Sequence, residues 1–292
     1  MAPNEKLYKQ EVDPNRILEK HLKELRKTQD NIRDFRMHGR MGSVGLEQNN
    51  HPSNDERTDF AAWARKYSEK AGLYDKEKIY TDILGIIPLT MRALNSSKVQ
   101  GSNRRTKKAM SEFNGVLRNT IDVDSSIAPH SITGLVQYAA LSYGYEADEI
   151  NTLVTETIRR QNTMRHELAF ESILYYLPEG FEVLETTTED DLDGIDSSVL
   201  APNGAIVSFD VKATQKAANS SLEKAQDYYF NAGKAMPENR LILYSGFTDE
   251  DFEQSNPWRP KQSAIERVYP SVEAAIYKAA GMEHSQVPER VG

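Results

Sequence analysis

Cysteine is absent from this chain of 292 residues. Its absence excludes disulfides, thiol nucleophiles and cysteine-bound zinc, and it predicts a reducing compartment, which we take to be the cytoplasm. The six histidines show no H-x-x-x-H or similar pairing, so a histidine-based metal site is not indicated. Long apolar runs are also missing. The best one, Ile83 to Met91, contains Pro88 and is far shorter than the ~20 residues that span a bilayer, so no membrane association is expected.

Positive charge is scarce in the second half of the chain. The net charge is −8, but residues 1–165 hold 26 Lys+Arg against 22 Asp+Glu, whereas residues 166–292 hold 10 against 22. A mildly basic part can approach phosphates, and an acidic part can hold cations. Uneven charge is common in soluble proteins, so it does not by itself decide the function.

Residues 1–160 show the apolar spacing of helices and form the first predicted domain, with a possible role in DNA binding or oligomerisation. Its first helix carries a long apolar stripe, which would either pair with a second copy in a homo-oligomer or fold back on its own domain. The expected helices cover residues 14–37, 57–72, 76–94, 107–119, 131–143 and 147–165, with a kink or break at Pro88.

A polar and basic segment, residues 95–108, separates two of these helices and is predicted to be an exposed loop. It contains the cluster Arg104, Arg105, Lys107 and Lys108. These side chains could bind DNA phosphates, because phosphate contacts supply most sequence-independent affinity. They could equally be a solvated surface, and the sequence leaves both interpretations open.

Residues 161–292 form the second predicted domain, in which helices and strands alternate. The expected order is helix 167–177, strands 181–188, 195–200 and 205–212, helix 217–235, strand 240–245 and helix 271–280. This order predicts an α/β fold whose mixed sheet is flanked by helices.

Asp210 and Lys212 lie two residues apart near the end of the third predicted strand. Because side chains alternate along a strand, both point to one face, while Val207, Phe209 and Val211 fill the other. A carboxylate and an ammonium group ~7 Å apart along the backbone can share one small site. The pair is therefore a candidate for chemistry, although an isolated Asp-x-Lys is usually a solvated strand end.

Asp196 precedes this pair on the neighbouring strand, at the end of the acidic segment Glu189 to Asp196. It faces Asp210 across the ladder if the intervening turn has three residues or includes a bulge, whereas a two-residue Asn-Gly turn would put it on the opposite face. Two carboxylates held that close repel each other, and a divalent cation is the usual compensation. Oxygen ligands of this kind suit Mg²⁺ or Mn²⁺.

The helix before the strands adds Glu167 and Glu171, which lie four residues apart on one face. Either could supply a further carboxylate for a metal ion or for its bound water. The helix F-E-S-I-L-Y-Y-L, the motif D-x-x-G-I-D and the strand S-F-D-V-K, taken in this order, resemble the core of the PD-(D/E)XK, or restriction-endonuclease-like, nuclease superfamily. The resemblance covers roughly residues 163–246, with Ile195 where the family often has proline.

The resemblance implies a Mg²⁺- or Mn²⁺-dependent deoxyribonuclease. It implies that Asp196 is the first aspartate, that Asp210 and Lys212 form the (D/E)-x-K pair, and that Glu171 is the helix carboxylate, with Glu167 as the competing assignment. The segment Gln226-Asp-Tyr-Tyr-Phe230 is similar to a further helix motif of several branches, although it has Phe where Tyr is expected.

Two other functions remain open at this point. The fold could serve as a docking surface in a binding or structural protein without turnover, or the enzyme could act on RNA. The presence of Lys212 argues against a binding protein without turnover, because a site that no longer catalyses a reaction does not need this lysine.

Overall fold

A computed structural model describes residues 14–38, 56–100, 103–187, 190 and 194–283 of the chain. The described residues form a mixed α/β protein with eight α-helices and one four-stranded sheet, which confirms the predicted fold class at that level. No helix in this part of the chain is both long enough and apolar enough to cross a membrane.

The elements are labelled in chain order. The helices are α1 (Pro14–His38), α2 (Glu56–Ala71), α3 (Asp75–Gln100), α4 (Asn103–Val123), α5 (Pro129–Ser142), α6 (Ala147–Leu174), α7 (Gln215–Asn231) and α8 (Gln262–Ala279). The strands are β1 (Glu182–Leu184), β2 (Ser197–Leu200), β3 (Ile206–Lys212) and β4 (Arg240–Tyr244), and a 3₁₀ turn spans Asp249–Asp251.

The prediction of a loop over residues 95–108 was wrong. Residues 95–100 are the last turns of α3, and residues 103–108 are the first turns of α4. The segment is polar and basic, but it contains no proline, and Lys, Arg and Gln are good helix formers. A polar composition therefore predicts that a segment is exposed to solvent, but it does not distinguish a helix from a loop.

Pro88 neither breaks nor splits α3, which continues through it. A proline inside a helix has no N–H, so the carbonyl four residues earlier loses its partner. Here that carbonyl belongs to Leu84, and it accepts a hydrogen bond from the hydroxyl of Tyr143. Burial raises the pKa of the Tyr143 hydroxyl, which keeps this donor protonated. The tyrosine thereby compensates for the proline.

Two further predicted boundaries are corrected. The expected separate helix 167–177 is the end of α6, because no glycine or proline interrupts the chain between Ala147 and Leu174. The expected last helix, 271–280, begins nine residues earlier, at Gln262, and runs through Pro270.

The chain divides into two compact units, Met1–Ser96 with Ile127–Thr157 and Ser97–Ser126 with Ile158–Gly292. The second unit thus includes residues 97–126, which the sequence-based division placed with the helical domain. In the first unit, α1 packs on α2 and α5. Leu25 and Ile32 are fully buried, and Phe35 meets the rings of Trp63 and Tyr67 edge-on. The apolar stripe of α1 is therefore covered within its own unit.

The sheet of the second unit has the order β1-β2-β3-β4. The first two pairings are antiparallel and the third is parallel. A parallel neighbour requires a crossover connection, and α7 lies within it. The central position of β3 places Asp210 and Lys212 between β2 and β4.

One face of the sheet forms the core of this unit. Val207, Phe209 and Val211 are buried there, which confirms the alternation predicted for β3. Phe209 packs against Phe170 of α6 with ring centroids 5.2 Å apart. Residues of α6 and α8 complete the same cluster, including Ile173, Val268, Val272 and Ile276. The core thus fixes α6 on the strands that carry the candidate site.

Phe209→Ala tests this core. We expect it to lower the free energy of unfolding by about 3–5 kcal/mol, the usual cost of deleting a buried phenyl ring. Urea unfolding followed by circular dichroism measures the change. Ile206→Ala on the same strand is the matched control, because Ile206 is 47% exposed and should cost less than about 1 kcal/mol. Equal costs would show that Phe209 does not anchor the core.

Candidate active site

Asp210 and Lys212 meet on the face of β3 opposite the core. The Lys212 ammonium group forms an ion pair with Oδ1 of Asp210. Their side chains are 11% and 27% exposed, respectively. The structure therefore joins the two residues in one small, partly wet site, as the two-residue spacing predicts.

The turn between β2 and β3 has the looser form that the site hypothesis requires. Ala201 pairs with Ala205 through an N–H···O bond of 2.8 Å, which leaves Pro202, Asn203 and Gly204 as a three-residue turn. Gly204 has a φ of +84°, a left-handed conformation that glycine adopts without steric cost. This turn sets the register of β2 against β3.

Asp196 lies one residue before β2 and is held by three hydrogen bonds. Its N–H donates to the carbonyl of Phe209 (2.7 Å), the residue that already pairs with Ser197, so the ladder is irregular here, as in a β-bulge. Its carbonyl accepts from the hydroxyl of Thr186 (3.2 Å). Its side-chain Oδ2 accepts from the N–H of Val211 (2.6 Å). This last bond fixes the carboxylate beside Asp210 and Lys212.

The electrostatics at Asp196 are unfavourable to a charged carboxylate. The pKa of Asp196 is raised well above its usual range, chiefly because burial removes water from the charged form. The charges of Glu167 and Asp210 raise this pKa further, while Lys212 and the N–H of Val211 lower it. Burial and two neighbouring carboxylates therefore outweigh the ammonium group of Lys212, and the charged form of Asp196 is disfavoured.

The two helix carboxylates have different surroundings. Glu171 forms an ion pair with Arg118 of α4. Glu167 is the carboxylate that acts most strongly on the pKa of Asp196. Both lie on the cavity beside Asp196. The competing assignment, Glu167, therefore acts electrostatically on Asp196, whereas Glu171 forms an ion pair with Arg118.

A cavity of about 400 Å³ opens beside these residues. Asn114 and Arg118 of α4 line it, as do Glu167 and Glu171 of α6 and Asp196. The contribution of α4 could not be foreseen, because the amphipathic pattern of a helix does not show which later element it packs against. A volume of this size is typical of small-molecule and cofactor sites.

His166 ties α6 to the strand ends next to the site. Its ring Nδ1 lies 2.8 Å from the hydroxyl oxygen of Ser245, and both residues are buried. The N–H of Ser245 donates to the carbonyl of Lys212 (3.0 Å). His166 immediately precedes Glu167, so this chain of bonds fixes the helix that carries Glu167 relative to Lys212.

The donor set suits a hard divalent cation. Among the residues that the structure describes, no three His, Cys, Asp or Glu side chains are grouped closely enough to hold a metal ion by themselves. Mg²⁺, however, is usually bound by one or two carboxylates and keeps several water ligands. Asp196 and Asp210 supply such a pair, and the neighbouring charge of Glu167, which raises the pKa of Asp196, would favour a cation beside it. The residues present are thus compatible with Mg²⁺ or Mn²⁺.

The other predicted residues lie elsewhere on the described surface. Lys107 and Lys108 are exposed on α4, whereas the side chains of Arg104 and Arg105 are outside the described part. Gln226 is exposed on α7, and Tyr228 and Phe230 are 70% and 81% exposed. Most of the acidic run 189–193 is outside the described residues as well. Binding of DNA by the basic cluster stays a prediction.

Comparison of the chain with protein-family models, with curated proteins and with solved structures finds no match. No family membership follows from them, and the chemistry has to be inferred from the residues of the site.

Asp196→Asn tests the charge imbalance. Asparagine can still accept the hydrogen bond from Val211 but carries no charge, so the metal-free variant should melt a few degrees above the wild type at neutral pH. A raised pKa in the folded state means that the folded protein binds the proton more tightly than the unfolded chain. The wild type should therefore lose stability relative to the variant as the pH rises through that pKa. Thermal melts in EDTA across a pH series measure both effects.

Asp190→Asn is the control for this experiment. Hydrogen bonds from the side chain and the N–H of Thr187 hold the pKa of Asp190 below its usual range, so removal of that charge should bring no gain. A stabilisation equal to that of Asp196→Asn would contradict the electrostatic account.

Proposed function

We propose that this chain is a divalent-metal-dependent deoxyribonuclease whose second unit has a restriction-endonuclease-like core. The observation that carries the proposal is the hydrogen bond from the Val211 N–H to Asp196, which holds this carboxylate beside the ion pair of Asp210 and Lys212. Asp210 and Lys212 of β3, Asp196 just before β2 and a glutamate of α6 together supply the metal ligands and the positive charge that phosphodiester hydrolysis requires. The order and spacing of these residues along the chain support the same chemistry.

Asp196 and Asp210 would hold the cation, with Glu167 or Glu171 acting directly or through water. A divalent ion bound there would neutralise charge on a phosphoryl oxygen and lower the pKa of a bound water. The chain's own residues have separate tasks. The N–H of Val211 and the hydroxyl of Thr186 orient Asp196, and Asp210 restrains the Lys212 ammonium group.

Lys212 supplies a positive charge at the reacting phosphate in the proposed reaction. From its position beside Asp210 its ammonium group can orient the attacking water and stabilise negative charge that develops on the phosphorus oxygens. The lysine is 27% exposed, so substrate and solvent reach it. Lys107 and Lys108, which are exposed on α4, would add further phosphate contacts.

Asp210→Ala tests the metal site. Isothermal titration calorimetry with Mn²⁺ should show binding to the wild type that the variant loses, because one of two anionic ligands is gone. Asp227→Ala removes an exposed carboxylate from α7 and should leave the affinity unchanged. Undiminished Mn²⁺ affinity in Asp210→Ala would place the metal elsewhere.

Lys212→Met tests the catalytic role. The methionine keeps the apolar stem and removes only the charge. Cleavage of plasmid and linear DNA with Mg²⁺ or Mn²⁺ should fall by roughly 10²-fold or more, the scale of losing one positioned catalytic group. The melting temperature should stay within a few degrees of the wild-type value.

Lys216→Met is the matched control, since Lys216 is exposed on the first turn of α7, and it should cut at the wild-type rate. A Lys212→Met variant that cuts as fast as the wild type would remove Lys212 from the mechanism. A wild type that cuts neither plasmid nor linear DNA with either metal would instead favour the binding-protein function.

A further inference from the structure

One face of α4 lines the cavity beside Asp196. Ser111, Asn114 and Arg118 follow each other at helical spacing, and all three line the cavity. Arg118 contributes positive charge to a lining that is otherwise rich in carboxylates. Its pairing with Glu171 engages one terminal nitrogen, Nη2, whereas a guanidinium group carries five N–H donors. The side chain is 38% exposed, so it can bind an anion while it stays paired with Glu171.

Tyr175, just beyond the end of α6, also lines this cavity. It is 70% exposed, which is unusual for a large aromatic side chain next to a concave polar site. Its neighbour Tyr176 instead donates a hydrogen bond to Gln262 (2.9 Å) and is tied to the fold. An exposed ring at the edge of a cavity can stack on a nucleobase, and this contact tolerates any base because every base has a π-face.

From this arrangement we infer that the cavity is a subsite for one nucleotide of single-stranded DNA, with Arg118 holding a phosphate and Tyr175 stacking on the base. The inference rests on the proposed function, since the nucleotide would lie next to the scissile phosphate at Asp196. Ser111 and Asn114 add hydrogen-bonding groups to the lining of the same cavity.

The choice of a single strand follows from the geometry of base stacking. In a duplex, both faces of an internal base are covered by its neighbours, so Tyr175 can reach a base face only after unpairing and unstacking, which costs a few kcal/mol. A single strand does not bear the cost of unpairing. The cavity volume of about 400 Å³ is also that of a small-ligand site and not of a double helix.

The acidic lining does not exclude a phosphate. Arg118 offsets Glu171, and a divalent cation at Asp196 and Asp210 would offset the remaining carboxylates. The subsite should consequently bind DNA more tightly with Mg²⁺ present than in EDTA.

The test measures binding separately from cleavage. The full-length Lys212→Met protein, in which turnover is suppressed but both aspartates remain, is titrated in Mg²⁺ against a short fluorescein-labelled oligothymidylate and against its duplex with oligoadenylate. Fluorescence anisotropy gives the dissociation constants. We expect the single strand to bind at least about tenfold more tightly than the duplex.

Two substitutions in this background probe the two anchors. Tyr175→Ala should weaken binding of the single strand about tenfold, within the range for loss of one base stack, whereas Tyr175→Phe should bind like the parent. Arg118→Gln should weaken binding and also reduce the salt slope by about 0.7, the amount for one phosphate contact on a single strand. Tyr175→Ala should leave that slope unchanged. Because Tyr175 is largely exposed, its substitution should not perturb folding.

Arg259→Gln is the matched control for charge, because Arg259 is exposed in the same unit and pairs only loosely with Glu253, at 3.7 Å. Parent-like binding by both Tyr175→Ala and Arg118→Gln, or duplex affinity equal to that of the single strand, would overturn the subsite even if the wild type cuts DNA. A wild type that cuts nothing, but whose single-strand affinity depends on Tyr175 and Arg118, would overturn the nuclease proposal and support the subsite.

Discussion

The register between β2 and β3 is the constraint on which the candidate site depends. The three-residue turn at Pro202 to Gly204 sets it, and the hydrogen bond from the Val211 N–H to the Asp196 carboxylate is its consequence. A slip by one residue would reverse the faces of every side chain on β2, so Val199 would leave the core and Asp196 would leave its partners. The same packing that stabilises the sheet therefore positions the chemistry.

The site holds an aspartate whose charged form is disfavoured, because burial and the charges of Glu167 and Asp210 raise the pKa of Asp196. Lys212 forms an ion pair with Asp210, and Arg118 forms one with Glu171, while the charges of Glu167 and Asp210 both raise the pKa of Asp196. A protein selected for stability alone would replace one of these carboxylates with a neutral side chain of similar size. A carboxylate in a cleft whose pKa is strongly raised by burial and by neighbouring charges is a candidate functional group, and a bound cation would relieve the repulsion.

The sequence predicted those features of the fold that depend only on residues close together in the chain. Alternation placed Val207, Phe209 and Val211 in the core and Asp210 with Lys212 on the other face, because strand geometry is local. The sequence left the length of the turn between β2 and β3 open, and the site hypothesis required the three-residue form that the structure shows. The sequence-based predictions failed for features that depend on contacts between residues far apart in the chain. Residues 95–100 and 103–108 are helical despite their polarity. Tyr143 compensates for Pro88 from a distant helix, and the choice between Glu167 and Glu171 depends on Arg118, which precedes Glu171 by more than fifty residues.

The position of α4 shows that the compact unit around the candidate site is not one continuous segment of the chain. Residues 97–126 belong to the same compact unit as the sheet, although α5 and the start of α6 separate them from it in the chain. Arg118 is thus a part of the cavity that no continuous C-terminal segment contains. A strand-and-helix core without α4 would keep Asp196, Asp210 and Lys212 but would lose one wall of the cavity and the cation that balances Glu171. The residues that line the cavity therefore come from two separate stretches of the chain, α4 and the segment that contains the end of α6 and the first strands.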